Sequence, residues 1–172
     1  MTEPKLVLQL HQEAQTIALG AALAEALRAM SEAIDAKGLA IGLAGDLGSG
    51  KTTIVRALLR HLGVSGPVKS PTFALLEPYD VSRLHLYHFD FYRFKNPREF
   101  VESGFSEFFR PGNVCLVEWP ERAGEYLPPA DLNIRLKLLE VGRSAAIDAD
   151  TEMGEQCLHQ LRTYLTPARV GA

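Results

Sequence analysis

Strong charge, long apolar runs and clustered cysteines are all missing from this chain. The formal net charge is −3 over 172 residues, which argues against nucleic-acid binding by the chain alone, because such proteins usually carry a basic footprint. No apolar run approaches the roughly 18 residues expected of a membrane span. The cysteines, Cys115 and Cys157, are far apart, so neither a short-spaced zinc motif nor a disulfide scaffold is indicated.

We expect no secretion signal either. The first residues, Met1-Thr2-Glu3-Pro4, lack the charged segment followed by an apolar segment that such signals carry. The sparse cysteines suit a reducing compartment, so we expect a cytoplasmic protein without a membrane segment. The length predicts one domain over residues 1–172, with a flexible tail from about residue 167.

What the chain does contain is a glycine-rich string that fits G-x-x-x-x-G-K-(S/T), the phosphate-binding loop of nucleotide-hydrolysing proteins. The string is Gly45-Asp46-Leu47-Gly48-Ser49-Gly50-Lys51-Thr52. Residues 39–44 before it are apolar and predict a buried strand. After it, Ile54, Leu58 and Leu62 recur every four residues, as on an amphipathic helix that Gly63 ends. The motif therefore stands between a strand and a helix, as it must.

The residue types of this loop explain its chemistry. Glycines let the backbone approach a ligand closely, and successive N–H groups form an anion-binding nest. The amino end of the following helix adds its positive dipole. Lys51 would reach the β- and γ-phosphates of a nucleotide, Thr52 would bind Mg²⁺, and Thr53 would contact the α-phosphate. The alternative is a glycine-rich turn without a ligand.

The remaining pattern predicts an α/β protein with the P-loop NTPase fold, in which a mostly parallel central sheet is flanked by helices and has antiparallel hairpins at its edge. We expect strands at residues 5–10 and 114–117 and hairpins over 70–92 and 132–149, the first with a loop of three to five residues. We expect helices over 12–37 and 152–165, and one or two short helices over 97–109.

Two acidic residues are candidates to work with the loop. Glu118 ends a buried apolar run, where a parallel strand presents its last residue to the ligand crevice. It would hold Mg²⁺, directly or through water, or polarise the attacking water; the alternative is a solvated acid at a strand end. Asp90 shares one strand face with His88 and Tyr92. There Asp90 would orient or deprotonate water with His88 as support, unless the strand is merely half exposed.

Two further residues have open roles. Thr72 lies in the first loop beyond the predicted helix, where a threonine of a switch-type nucleotidase contacts Mg²⁺ and the γ-phosphate; spacing alone does not decide this. Trp119 is the single tryptophan and follows Glu118. It either packs near the nucleotide or belongs to the core.

Four strings together resemble the bacterial TsaE family over about residues 8–149. They are Gly45-Asp46-Leu47-Gly48-Ser49-Gly50-Lys51-Thr52-Thr53, Lys69-Ser70-Pro71-Thr72-Phe73, His88-Phe89-Asp90-Phe91-Tyr92-Arg93 and Leu116-Val117-Glu118-Trp119-Pro120-Glu121. The resemblance implies a small, weak Mg²⁺-dependent ATPase required for threonylcarbamoyladenosine at position 37 of tRNAs that read codons beginning with A. It also implies action with the TsaB and TsaD proteins, whose turnover ATP hydrolysis drives, and contact with tRNA only through that complex.

The resemblance also assigns roles to residues. It implies that the loop from Gly45 to Thr53, together with Arg143, binds ATP, and that Thr52, Glu118 and Thr72 form the metal-binding set. The implied catalytic residues are Asp90, Glu118 and Lys51.

Proteins with other nucleotide-dependent functions carry different sequence motifs. A GTP-driven switch carries an N-K-x-D string for guanine, and none is present. A small-molecule kinase needs an arginine-rich lid, for which Arg93, Lys95 and Arg98 are the candidates. A nucleotide-dependent interaction module with incidental hydrolysis is the third possibility.

Overall fold

A seven-stranded β-sheet with helices on its faces organises the chain in the computed structural model, which describes residues 3–165. The strands are β1 (Leu6–Leu10), β2 (Leu39–Ala44), β3 (Leu76–Val81), β4 (Leu84–Asp90), β5 (Asn113–Glu118), β6 (Leu132–Leu138) and β7 (Arg143–Ala149). The helices are α1 (Glu13–Ala29), α2 (Ser31–Lys37), α3 (Lys51–Leu62), α4 (Glu99–Glu102) and α5 (Glu152–Tyr164). The α/β class is thus confirmed. The tail predicted from about residue 167 lies outside the described residues.

The sheet is mixed, so the prediction of a mostly parallel sheet was wrong. In the order β1-β7-β6-β2-β5-β4-β3, β2 pairs in parallel with β5 and β6, and β5 with β4. The other three pairs are antiparallel. The reason is topological: β3–β4 and β6–β7 are hairpins, whose short connections force antiparallel pairing, and β1 adds antiparallel to β7. Only the three pairs at the centre are parallel.

Two local predictions also need correction. The first hairpin has a two-residue loop, Ser82-Arg83, with φ of 50° and 62°, because left-handed residues at both positions match the twist of the strands. The long helix expected over residues 12–37 is divided at Met30 (φ −103°, ψ 12°), whose N–H bonds the carbonyls of Ala26 and Leu27 at 3.1 and 3.2 Å. That contact closes α1 before α2 begins.

The two faces of the sheet have separate cores. Helices α1, α3 and α5 pack on one face, where Leu86 of β4 belongs to a large aliphatic cluster. The opposite face carries a smaller aromatic cluster that includes Phe89, Phe91 and Phe100. Because side chains alternate along a strand, neighbouring residues of β4 serve different cores. Among the described residues, no helix is long and apolar enough to cross a bilayer.

A close contact between α1 and α3 holds α3 in place. A Cβ added to Gly20 would lie 2.6 Å from both the Cβ of Ala57 and the carbonyl oxygen of Ile54. Only glycine allows this approach. Since α3 starts at the phosphate-binding string, this packing fixes the helix whose amino end faces the candidate site.

Candidate functional site

The candidate site lies where three neighbouring parallel strands end. The glycine-rich loop runs from the end of β2 to the start of α3. In the adjacent strands, Leu43 pairs with Glu118 and Glu118 pairs with Asp90. Strand ends of this kind form the ligand crevice of open α/β sheets. The topology therefore brings both predicted acids to the loop.

The loop backbone is shaped for close approach by a ligand. Gly48 and Gly50 have φ of 78° and 111°, values that side chains other than hydrogen disfavour. The first bond from α3 back to the loop joins the N–H of Ile54 to the carbonyl of Gly50 at 3.0 Å. The N–H groups of residues 51–53 are thus those of the free first turn, and together with the helix dipole they favour an anion.

Lys51 lies buried inside this loop, with only 5% of its surface exposed. Its Nζ donates to the carbonyl oxygens of Gly45 at 2.5 Å and Asp46 at 2.9 Å. The same nitrogen lies 4.3 Å from the centroid of the Trp119 ring, a cation–π distance. The ring of Trp119 is placed there by a left-handed backbone, with φ of 58°. Trp119 thus belongs to the candidate site and not only to the core.

The charge of Lys51 is subject to opposing influences. Burial lowers the pKa of Lys51 from its ordinary value of 10.5, because water no longer solvates the ammonium group. Neighbouring carboxylates oppose this shift, in decreasing order Glu118, Glu121, Asp90 and Asp46. The site therefore surrounds the buried ammonium group of Lys51 with negative side chains. A bound divalent cation would offset part of this negative charge, and a bound phosphate would pair with Lys51.

Glu118 makes the central polar contact of the site. The hydroxyl of Thr52 donates to its two carboxylate oxygens at 2.9 and 3.1 Å, and His88 Nε2 lies 2.6 Å from Oε2. Glu118 is 2% exposed, so the alternative of a solvated acid at a strand end is wrong. The hydroxyl and carboxylate oxygens of Thr52 and Glu118 are hard donors, which is the chemistry that Mg²⁺ prefers.

Asp90 forms a second polar group beside the first. Its Oδ2 accepts hydrogen bonds from the hydroxyls of Ser70 and, at 3.3 Å, Thr72. Its Oδ1 accepts from the N–H of Tyr92 at 2.9 Å. Thr72 therefore contacts Asp90 and not the Thr52–Glu118 pair with which it was predicted to share a metal. His88 was predicted to support Asp90, but its ring bonds Glu118 instead.

Arg143 reaches the loop from β7, which lies two strands from β2 on the side away from β5. Its Nη1 donates to the carbonyl oxygen of Ser49 at 2.5 Å. A Cβ added to Gly50 would lie 2.4 Å from the same nitrogen, so the absence of a side chain at residue 50 makes room for the guanidinium group. The first residue of β7 is thereby brought into contact with the phosphate-binding string.

These groups surround an open cavity of about 470 Å³, a size suited to a small ligand. The predicted catalytic and metal-binding residues all line it: Lys51, Thr52, Thr72, Asp90 and Glu118. Arg143, Thr53 and the loop residues Leu47, Gly48 and Gly50 line it too. Within residues 3–165, the predicted loop residues Gly45, Asp46 and Ser49 are outside the cavity wall and contact Lys51 or Arg143 instead.

Ser70 was not assigned a role from the sequence, although it lines the cavity and donates to Asp90. The available signal was its spacing of two from Thr72 in the same loop. Glu13, at the start of α1, also lines the cavity; the family resemblance implies that Gln12 and Glu13 lie near the base of the nucleotide. The basic cluster of Arg93, Lys95 and Arg98 is absent from the wall among the described residues.

Comparison with known proteins places these features in a family. A family model described as "Threonylcarbamoyl adenosine biosynthesis protein TsaE" matches residues 10–145. The chain is 37% identical over 122 residues to the tRNA threonylcarbamoyladenosine biosynthesis protein TsaE of Haemophilus influenzae, covering 71% of this chain and 77% of that protein. It is 38% identical over 113 residues to the protein of that name from Bacillus subtilis, covering 66% and 70% of the two chains.

The fold has a solved counterpart as well. The crystal structure of Bacillus subtilis YdiB superposes with a TM-score of 0.74 at 29% sequence identity. The match covers 95% of this chain and 99% of that chain. The two proteins therefore share one fold over nearly their whole lengths.

Proposed function

This chain belongs to the TsaE family of threonylcarbamoyl adenosine biosynthesis proteins, and on that premise we propose that it is the ATPase of that pathway. Its role lies in tRNA threonylcarbamoyladenosine biosynthesis, the process that names its relatives. The finer proposal is that residues 1–172 form a single P-loop ATPase domain that binds ATP with Mg²⁺ and hydrolyses it slowly when alone.

One observation carries the proposal. The buried ammonium group of Lys51 and the free N–H groups at the start of α3 face one cavity, with the Thr52–Glu118 pair at its wall. The positive groups favour a polyphosphate, and the oxygen pair favours the cation that accompanies it. The choice of ATP over GTP rests on the missing guanine-recognition string.

The side chains suggest a division of labour. Lys51 and the loop amides would hold the β- and γ-phosphates, and Arg143 would reach them from the side. Thr52 and Glu118 would hold Mg²⁺, which neutralises charge on the phosphates when it is bound. Asp90 would orient a water molecule and accept its proton, with the hydroxyls of Ser70 and Thr72 fixing its carboxylate.

The partners are part of the proposal too. We expect the TsaB and TsaD proteins to accelerate hydrolysis, tRNA to be met only through their complex, and the work to take place in the cytoplasm. A kinase finds little support, because the basic cluster that would form its lid lies away from the cavity wall among residues 3–165.

Phosphate release should therefore be measured from purified protein with ATP and Mg²⁺, with and without the TsaB and TsaD proteins. The expected result is a slow basal rate that rises when both partners are added. Equal rates would contradict a hydrolysis that serves a complex. Transfer of phosphate to a small acceptor in place of water would indicate a kinase and overturn the proposal.

A further inference from the structure

His88 is a fully buried histidine that has no role in the proposed reaction as described above. It lies on β4, two residues before Asp90, with an exposed fraction of 0%. Its Nε2 is 2.6 Å from Oε2 of Glu118. Its Nδ1 is buried without a hydrogen-bond partner among the described residues. A buried polar group of this kind requires a physical reason.

The pattern of partners indicates which ring nitrogen carries the proton. A carboxylate accepts hydrogen bonds, so the 2.6 Å contact assigns the proton to Nε2 of His88. His88 thus donates a hydrogen bond to Glu118.

A hydrogen-bond donor beside a metal-binding carboxylate fixes the orientation of that carboxylate. The contact from His88 does this for Glu118. A carboxylate offers about four acceptor positions. Thr52 and His88 together make three contacts with Glu118, so at least one position stays open for a cation or a cation-bound water.

We propose that His88 is a positioning residue that holds the Glu118 carboxylate in the orientation that receives the divalent cation. This inference rests on the proposed function, because it assumes that Glu118 serves Mg²⁺. His88 does not touch the nucleotide or the reacting atoms; it acts through Glu118. When a residue that hydrogen-bonds a metal ligand and so orients it is removed, the affinity for the metal typically falls by about 10-fold to 100-fold.

Two variants separate the effect of the hydrogen-bond donor at residue 88 from the effect of side-chain volume. His88→Gln keeps an N–H donor that reaches about as far as Nε2, and His88→Met fills similar space without a donor. For each, the Mg²⁺ concentration that half-saturates the complex with a non-hydrolysable ATP analogue is measured by calorimetry. Binding of the same analogue is also measured in EDTA, because that value does not depend on Glu118 as a metal ligand.

His88→Met should raise the half-saturating Mg²⁺ concentration at least about 10-fold and leave binding in EDTA unchanged, whereas His88→Gln should stay within about 3-fold of the wild type. Equal Mg²⁺ dependence in all three proteins would overturn the inference. So would an equal loss of binding with and without Mg²⁺, because that result indicates a purely structural role.

A measurement on the unaltered protein keeps the test decisive if His88→Met fails to fold. Long-range proton–nitrogen spectra should show His88 protonated at Nε2, with a resonance that shifts when Mg²⁺ is added to the complex with the analogue. If the resonance does not shift when Mg²⁺ is added, the inference about His88 is rejected, whereas the proposed function is not. Wild-type protein without any Mg²⁺-dependent nucleotide binding would instead reject the proposed function, and the inference with it.

Discussion

The ammonium group of Lys51 lies 4.3 Å from the centroid of the Trp119 ring. Trp119 is the only tryptophan in the chain, so its fluorescence reports on the surroundings of Lys51. A bound polyphosphate would draw Lys51 from the carbonyls of Gly45 and Asp46, and the emission should change. We therefore expect a saturable fluorescence change when ATP and Mg²⁺ are added, with GTP less effective at equal concentration.

Lys51→Ala should abolish this binding, with a loss of affinity of about 100-fold or more, because a charge-assisted contact to phosphate disappears. Calorimetry is the suitable measurement, since the substitution itself alters the surroundings of Trp119. Lys69→Ala is the matched control: Lys69 is exposed in the loop that follows α3 and does not line the cavity. Nucleotide affinity that survives in Lys51→Ala would disprove the phosphate-binding role.

The two acids should affect turnover more than binding. We expect Asp90→Asn and Glu118→Gln each to reduce phosphate release by about 100-fold, the usual contribution of a general base or a charge-stabilising group, with the affinity for ATP reduced by less than the turnover in each variant. Single-turnover kinetics and calorimetry measure the two quantities. Asp80→Asn, at an exposed acid of β3, should behave as wild type. Hydrolysis retained in both site variants would mean that the activating group is elsewhere.

Arg143 provides a test of the contact between β7 and the loop. Its guanidinium group bonds the Ser49 carbonyl and lines the cavity, so Arg143→Ala should weaken nucleotide binding about 10-fold through loss of a charged donor. Arg135→Ala is the control, because Arg135 pairs with Asp148 at 2.7 Å and is half exposed. Equal affinities in the two variants would remove Arg143 from the nucleotide site.

Much of the site's scaffold was predictable because its signals are local. The apolar run at residues 39–44, the glycines and the apolar stripe of α3 sit within one stretch of chain, and β2 and α3 have the expected form. Glu118 was expected at a strand end beside the loop, and it lies there because β5 pairs with β2 in parallel. When a strand, a loop and a helix follow one another directly in the chain, few relative arrangements of the three are possible.

Contacts between distant segments were not predictable in the same way. The partner of His88 depends on the register that pairs Asp90 with Glu118, and this register aligns two segments that are far apart in the chain. Likewise, the position of Trp119 over Lys51 follows from a left-handed backbone at residue 119, which is uncommon outside glycine. The sequence marks neither feature, so His88 was paired with the wrong acid.

The last prediction concerns stability, and it begins with a link between α1 and α3. Glu25 Oε1 accepts a hydrogen bond from Arg28 at 2.8 Å and lies 2.6 Å from His61 Nε2. The hydrogen bond with His61, followed by that with Arg28, holds the pKa of Glu25 below its ordinary value of 4.5. The carboxylate is partly exposed, so the expected contribution is small, about 0.5–1 kcal/mol.

The sign of the pH dependence follows from linkage. Because the pKa of Glu25 is lower in the folded state, its contribution is fully present above the unfolded-state pKa of 4.5 and is lost as pH falls through the lower folded-state value. Glu25→Gln should therefore reduce the free energy of unfolding by about 0.5–1 kcal/mol at about pH 7 and by less at about pH 3. Urea denaturation at both pH values measures this, with Glu32→Gln, at an exposed residue of α2, as control. A difference that stays constant from neutral to acid pH would show that the link acts by packing and not by the charge of Glu25.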